Sequence, residues 1–168
     1  MSDAITPPYD AKLDLAFTRD IALTPAQVWR AWTEPQQLLR WFTPAPWQTV
    51  ECDIDLRPGG LFRTVMRSPE GQDFPNTGCY LEVVAQRKLV WTNAVAPGYR
   101  PAQLANSMPC DSFFFTAIIV LEEQAKGTRY HVQVMHSNAA DCQKHAALGF
   151  QAGWNAALEQ MIGLYTSA

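Results

Sequence analysis

The sequence predicts an α+β fold: an antiparallel sheet, two short helices after its first strand, and one long C-terminal helix. Three observations carry this reading. Between Val50 and Ser137, short runs alternate apolar and polar side chains and are parted by Pro and Gly turns, as half-buried antiparallel strands require. Thr24-Pro25 and Pro35 each open a short stretch with large aromatics at helical spacing. From about Ala140 to Tyr165 the apolar period lengthens from two residues to that of a helix.

The elements follow in order. Lys12 to Ile21 reads as a strand, with Leu13, Leu15, Phe17 and Ile21 facing one way and Asp14, Thr18 and Asp20 the other. Thr24 is an N-cap with proline at the first helical position, and the helix runs to about Trp32, placing Val28, Trp29 and Trp32. A second short helix from Pro35 carries Leu38, Leu39, Trp41 and Phe42, and Pro44 and Pro46 end it. Val50, Cys52, Ile54 and Leu56 alternate with Glu51, Asp53 and Asp55. Pro58-Gly59-Gly60 is a turn, because glycine reaches positive φ at little steric cost. Phe62, Thr64 and Met66 then oppose Arg63 and Arg67. Further strands are expected at about Thr77 to Ala85 and Lys88 to Ala94, and as a hairpin of Phe113 to Glu122 with Thr128 to Ser137 across Lys126-Gly127. The connection from Ala96 to Ser112 is long enough to serve as a lid. In the last helix Ala146, Phe150, Gly153, Trp154, Ala157, Met161 and Leu164 form one apolar stripe.

At 168 residues the chain suits one domain, expected over residues 12–166, with residues 1–11 as a flexible lead-in. Hydrophobic residues make up 48% of it, ample for a core. The net charge is −3 and no run of Lys or Arg occurs, which disfavours nucleic-acid binding. No apolar run approaches membrane-spanning length. Met1 to Asp14 lacks the apolar centre of a secretory leader, and Cys52, Cys79, Cys110 and Cys142 form no C-x-x-C pair. A cytoplasmic location with reduced thiols is therefore expected.

Several stretches resemble a known superfamily when taken together. They are Arg19 and Ile21, Val28-Trp29-Arg30-Ala31-Trp32-Thr33, Arg40-Trp41, Asp55-Leu56-Arg57-Pro58-Gly59-Gly60, Gly78-Cys79-Tyr80-Leu81-Glu82-Val83, and Leu89-Val90-Trp91-Thr92. The Gly127-Thr128 hairpin and Gly153-Trp154 complete the set. In this order, from about Leu13 to Tyr165, they resemble the START-like (SRPBCC) superfamily of helix-grip proteins, in the branch related to the C-terminal domain of the Hsp90 ATPase activator. The resemblance implies about seven antiparallel strands curved around the long helix, with a cavity between. Members bind lipids, sterols, polyketides or plant hormones, and some catalyse cyclisation or aldol-type steps. Fold membership predicts the cup and not its contents.

The aromatic residues Trp29, Trp32, Trp41, Phe62, Trp91, Phe150 and Trp154 either line such a cavity or fill the core. The resemblance puts Trp41 at the cavity mouth and Trp154 on its wall. With Met66 and His136, the expected ligand-binding set is Trp41, Phe62, Met66, Trp91, His136, Phe150 and Trp154. His136 shares a strand face with Tyr130, Val132 and Val134, while Arg129, His131 and Gln133 lie on the opposite, wet face. Its unperturbed pKa of about 6.5 suits a ligand contact or a general base, and an ordinary bond to a neighbouring strand or loop is the alternative. His136, Cys142 and His145 lie close in sequence, but their spacing matches no standard zinc site, so no metal is expected. No motif requires a cofactor. Glu51, Asp53 and Asp55 share one strand face and are expected to face water with Arg57, Arg63 and Arg67 as partners. The leading expectation is a protein binding a small hydrophobic or amphipathic molecule in that cavity; the alternatives are a cyclase- or hydrolase-type enzyme in the same cavity and a chaperone-associated interaction module. A homodimer is also left open.

Overall fold

The structure, a computed structural model, describes residues 7–102 and 113–166. Its elements are β1 (Asp14–Ile21), α1 (Pro25–Thr33), α2 (Pro35–Leu38), β2 (Gln48–Ile54), β3 (Leu61–Arg67), β4 (Asp73–Val84) and β5 (Lys88–Thr92). They continue with β6 (Val95–Ala96), β7 (Arg100–Pro101), β8 (Thr116–Gln124), β9 (Gly127–Met135), α3 (Ala139–Ala147) and α4 (Phe150–Thr166). Seven strands pair antiparallel in the order β1-β9-β8-β5-β4-β3-β2, while β6 and β7 make a separate small hairpin. This is the α+β arrangement expected, consistent with a helix grip.

Local chemistry accounts for the helix starts. Thr24 accepts a hydrogen bond from Gln27 N at 3.1 Å, and Gln27 Oε1 accepts one from Thr24 N at 2.9 Å, a reciprocal capping box ahead of α1. Val28, Ala31 and Trp32 then face the core. α2 is shorter than its apolar pattern suggests. Trp41 and Phe42 lie in the turn beyond it, held by bonds from both of their N–H groups to Leu38 O.

The single C-terminal helix of the sequence reading is two helices. Gly149 adopts φ +95, and its N–H bonds to Ala146 O, so α3 ends there and α4 starts afresh at Phe150. Ala146, placed on the continuous stripe by its spacing, is exposed on α3. Nothing lies within 4 Å of a Cβ built on Gly149, so the requirement there is conformational alone. Gly149→Ala is expected to lower stability by about 1–2 kcal/mol, measured by urea denaturation, with the difference arising from φ and not from a clash.

Other boundaries differ in informative ways. Asp14 and Gln133, expected on the wet face, are buried: Gln133 Nε2 donates to Asp14 Oδ2 at 3.1 Å, and Asp10 N donates to the same oxygen at 2.9 Å. The turn from Asp10 to Leu13 covers this end of β1, so strand alternation alone misplaces both residues. Leu56 is 37% exposed, beyond the end of β2. Arg63 bridges Glu51 and Asp53, and Arg57 meets Asp55, as expected; Arg67 instead pairs with Asp73 across β3 and β4. A register shift between Thr49 and Glu51 leaves Val50 as an extra residue on β2. Of the expected lid, residues 96–102 include the β6–β7 hairpin, and residues 103–112 lie outside the described residues, as do residues 1–6 of the expected lead-in.

The core lies between the inner sheet face and the helices. Phe62, Tyr80, Leu89, Trp91, Ile119, Tyr130, Val132 and Val134 meet Val28, Trp32, Trp41, Phe150, Leu158 and Met161 there. Trp32 Nε1 donates to the Tyr130 hydroxyl at 3.0 Å, so two large buried residues satisfy each other's polar ends.

Candidate functional site

The Pro58-Gly59-Gly60 turn grips the backbone of Tyr80. Gly59 N donates to Tyr80 O at 2.7 Å, and Tyr80 N donates to Gly60 O at 3.0 Å. A Cβ on Gly60 would stand 2.0 Å from Asp55 O, so the tight turn needs glycine there. Tyr80 on β4 pairs directly with Trp91 on β5, which turns both side chains to the inner face.

Phe62 links the two. Its ring stacks on Tyr80 at a centroid distance of 5.3 Å and meets Trp91 edge-on at 5.0 Å. Tyr80 is fully buried and Trp91 is 7% exposed. Yet among the described residues neither the Tyr80 hydroxyl nor Trp91 Nε1 meets a hydrogen-bond partner. An unpaired buried donor costs about 1–3 kcal/mol, so two on neighbouring strands call for an explanation. Burial, with a smaller effect from Cys52, pushes the Tyr80 phenol well above its ordinary range, so it stays a donor. The Cys52 thiol is pushed up to about 12, by burial first and then Asp53, which removes it as a thiolate nucleophile.

From Trp91 the rings continue. Phe115 contacts Trp91 at 5.4 Å and His145 at 5.3 Å, and His145 also packs against Phe113 and Phe150. His136 Nε2 lies 2.9 Å from His145 Nδ1, and His136 Nδ1 lies 2.8 Å from Leu13 O. A carbonyl oxygen only accepts, so His136 Nδ1 carries the proton. In the neutral ring Nε2 then accepts from His145 Nδ1–H. Burial first, and His136 second, push the His145 pKa down to about 4, so it is neutral at neutral pH.

The expected ligand residues fall into distinct surroundings. Phe62, Trp91 and Phe150 are buried in the aromatic network, with half-buried Trp154 against Trp32 and Phe150. Trp41 is also in the core, but its Nε1 donates to Ala31 O at 2.9 Å, so only its ring remains for contact. Met66 sits opposite Thr49 and Phe74, nearer the other end of β3. His136 has both ring nitrogens engaged, which makes it a positioning group for His145. His136 and His145 come together, whereas Cys142 lines a different concavity. Among the described residues no three His, Cys, Asp or Glu groups converge on a common point.

Two open concavities lie elsewhere. One of about 390 Å³ is lined by Lys12, Leu15, Ala139 and Cys142; the other, of about 310 Å³, by Arg40, Thr43, Trp47 and Gln160. Neither is lined by an expected ligand residue. Tyr80, Phe115 and His145 were absent from the expected ligand set. Alternation along β4 was the available signal for Tyr80, but the register shift between Tyr80 and Glu82 breaks it. Cys52, Cys79 and Cys142 are free thiols, and among the described residues no helix is long and apolar enough to cross a membrane.

Comparison with known families gives one match: Activator of Hsp90 ATPase homolog 1-like protein, over residues 22–165. A crystal structure of a Nitrosomonas europaea protein is similar at 42% identity and a TM-score of 0.86, covering 93% of this chain and 96% of that one. A Rhodobacter sphaeroides protein shares the fold at 22% identity and a TM-score of 0.79, covering 96% of this chain and 97% of its own. So does an AHSA1-like protein of Aeromonas hydrophila, at 20% identity and a TM-score of 0.64 over 89% and 90%. Comparison with curated proteins finds no match.

Proposed function

This chain belongs to the Activator of Hsp90 ATPase homolog 1-like family, and on that premise we propose that it binds a small, largely apolar molecule with a hydrogen-bond-accepting head. The binding region is the interior between the sheet and α4. One observation carries the reading: Tyr80 and Trp91 are register partners that hold two donors, unpaired among the described residues, inside an apolar, ring-lined region. A carbonyl oxygen only accepts, so it would satisfy whichever of these donors it reaches. The apolar remainder of such a molecule would lie against Phe62 and Phe115. A cytoplasmic location accords with the free thiols of Cys52, Cys79 and Cys142.

The enzyme alternative with His136 as base draws less support, since His136 would have to give up a bond at one ring nitrogen. A chaperone-contact surface calls for a contiguous exposed apolar patch. Among the described residues the large exposed apolar side chains are Tyr9 ahead of β1, Leu56 in the β2–β3 turn, Tyr99 in the β6–β7 hairpin and Leu148 between α3 and α4.

Titration of medium-chain methyl ketones into the protein, followed by tryptophan fluorescence, tests the proposal. Trp91→Phe and Tyr80→Phe each remove one orphaned donor. Tyr80→Phe is expected to leave the urea midpoint unchanged or higher, Trp91→Phe to lower it through the ring volume lost, and each to weaken ketone binding by about tenfold. Wild-type protein that takes up no ketone, or variants that bind it equally well, would refute it.

A further inference from the structure

Resting on that reading, we propose that His145 is the second pole of the same site. Its Nε2 accepts a hydrogen bond from a hydroxyl at the far end of the ligand. The ligand class is then an apolar chain with a carbonyl at one end and a neutral hydroxyl at the other, not a fatty-acid-like carboxylate.

The direction of the hydrogen bonds leads to this class. Leu13 O fixes a proton of His136 on Nδ1, and with the His136 ring neutral its Nε2 then requires the proton of His145 on Nδ1. In neutral His145 the remaining nitrogen, Nε2, is therefore a lone pair. It meets no hydrogen-bond partner among the described residues. The surrounding rings of Phe113, Phe115 and Phe150 offer it no polar hydrogen. At the other pole both groups are donors, Trp91 Nε1–H and the Tyr80 hydroxyl. Phe115 touches both Trp91 and His145, so one side chain spans between the poles. The site is thus polarised: donors at the sheet, an acceptor at α3.

A carboxylate fits neither the charge nor the direction at the α3 pole. It would bring a second lone pair against Nε2, beside the rings of Phe113, Phe115 and Phe150, which carry no charge to offset its burial. Arg19, which reaches α4, is already paired with Glu159 and Asn155. A hydroxyl donates to Nε2 and needs no counter-charge. His136 acts here as a positioning residue, because it selects the His145 tautomer without touching the ligand.

Methyl ketones in a series of chain lengths, ending in a hydroxyl, a methoxy or a carboxylate group, are titrated into the full chain at neutral pH. The hydroxyl form is expected to bind about three- to tenfold tighter than the methoxy form, and the carboxylate form weakest. His145→Phe is expected to abolish the hydroxyl preference, read as the ratio of hydroxyl to methoxy affinities within the variant. Nitrogen-15 NMR of the wild-type protein provides a readout that needs neither ligand nor variant: both histidines should carry the proton on Nδ1. A His145 proton on Nε2, equal binding of hydroxyl and methoxy forms, or tightest binding of the carboxylate overturns the assignment. If the unsubstituted ketone binds and no terminal preference appears, the second pole alone fails. If no ketone binds, the reading of the interior fails and this one with it.

Discussion

Trp32→Ala is expected to destabilise the protein by about 3–5 kcal/mol, the largest effect of any single truncation considered for this core. Trp32 is 2% exposed and touches Trp41, Phe42 and Trp154, so removing its ring leaves a cavity bounded by three other aromatics. The loss has a polar part as well. The Tyr130 hydroxyl, itself buried, would lose the indole N–H that it accepts from. Trp32→Phe separates the two contributions by restoring much of the volume without the N–H. Urea denaturation of both variants checks this, since domains of this kind are stable by only about 5–15 kcal/mol. A loss below about 1 kcal/mol for Trp32→Ala would mean that the core repacks around the gap.

Stability is also expected to fall with acidity in a window set by His145. Its folded pKa lies near 4 and its ordinary value near 6.5. As pH drops below about 6.5, the unfolded chain binds a proton that folded His145 still refuses, so unfolding becomes easier. Once pH passes below about 4 the folded form also takes the proton, and this contribution levels off. The full shift corresponds to roughly 3 kcal/mol, an upper value because the ring keeps partial access to water. Carboxylates titrate across the lower part of the same window, so the measurement is a difference. Chemical denaturation of wild type and His145→Phe between pH 4 and 7 should show a shallower slope in the variant. Equal slopes would show that His145 titrates as it does in the unfolded chain.

Much of the fold was legible because local signals and tertiary packing agree. Thr24-Pro25 with Gln27 wrote the α1 capping box directly into the sequence. Alternation located the strands, and the Lys126-Gly127 hairpin joins β8 to β9 as read. The reading faltered where two signals compete. The apolar stripe from Ala146 to Leu164 suggested one helix, while Gly149 stops it, because a positive φ interrupts helical bonding whatever the spacing of apolar residues. Asp14 and Gln133 look like solvent-facing residues until the Asp10 turn folds over them. The site was harder still. Tyr80 and Trp91 meet through strand register, and His136 and His145 meet because α3 returns towards the end of β9. Neither pairing leaves a mark in composition or periodicity. His136 was legible as an inward polar group, but its role depends on a carbonyl acceptor that no sequence pattern reveals.

The β2 edge has a consequence for how copies of this chain meet. A sheet margin with free N–H and C=O groups is a template for another strand, and such margins seed aggregation. Here the margin carries Glu51 and Asp53 with Arg63 set one strand back, and the extra Val50 interrupts its regular pairing. Two β2 margins approaching each other would set acid against acid along a broken ladder. The feature that the alternation first suggested as a mere wet face thus acts as a guard against self-templating, and directs any pairing of two chains to a different surface.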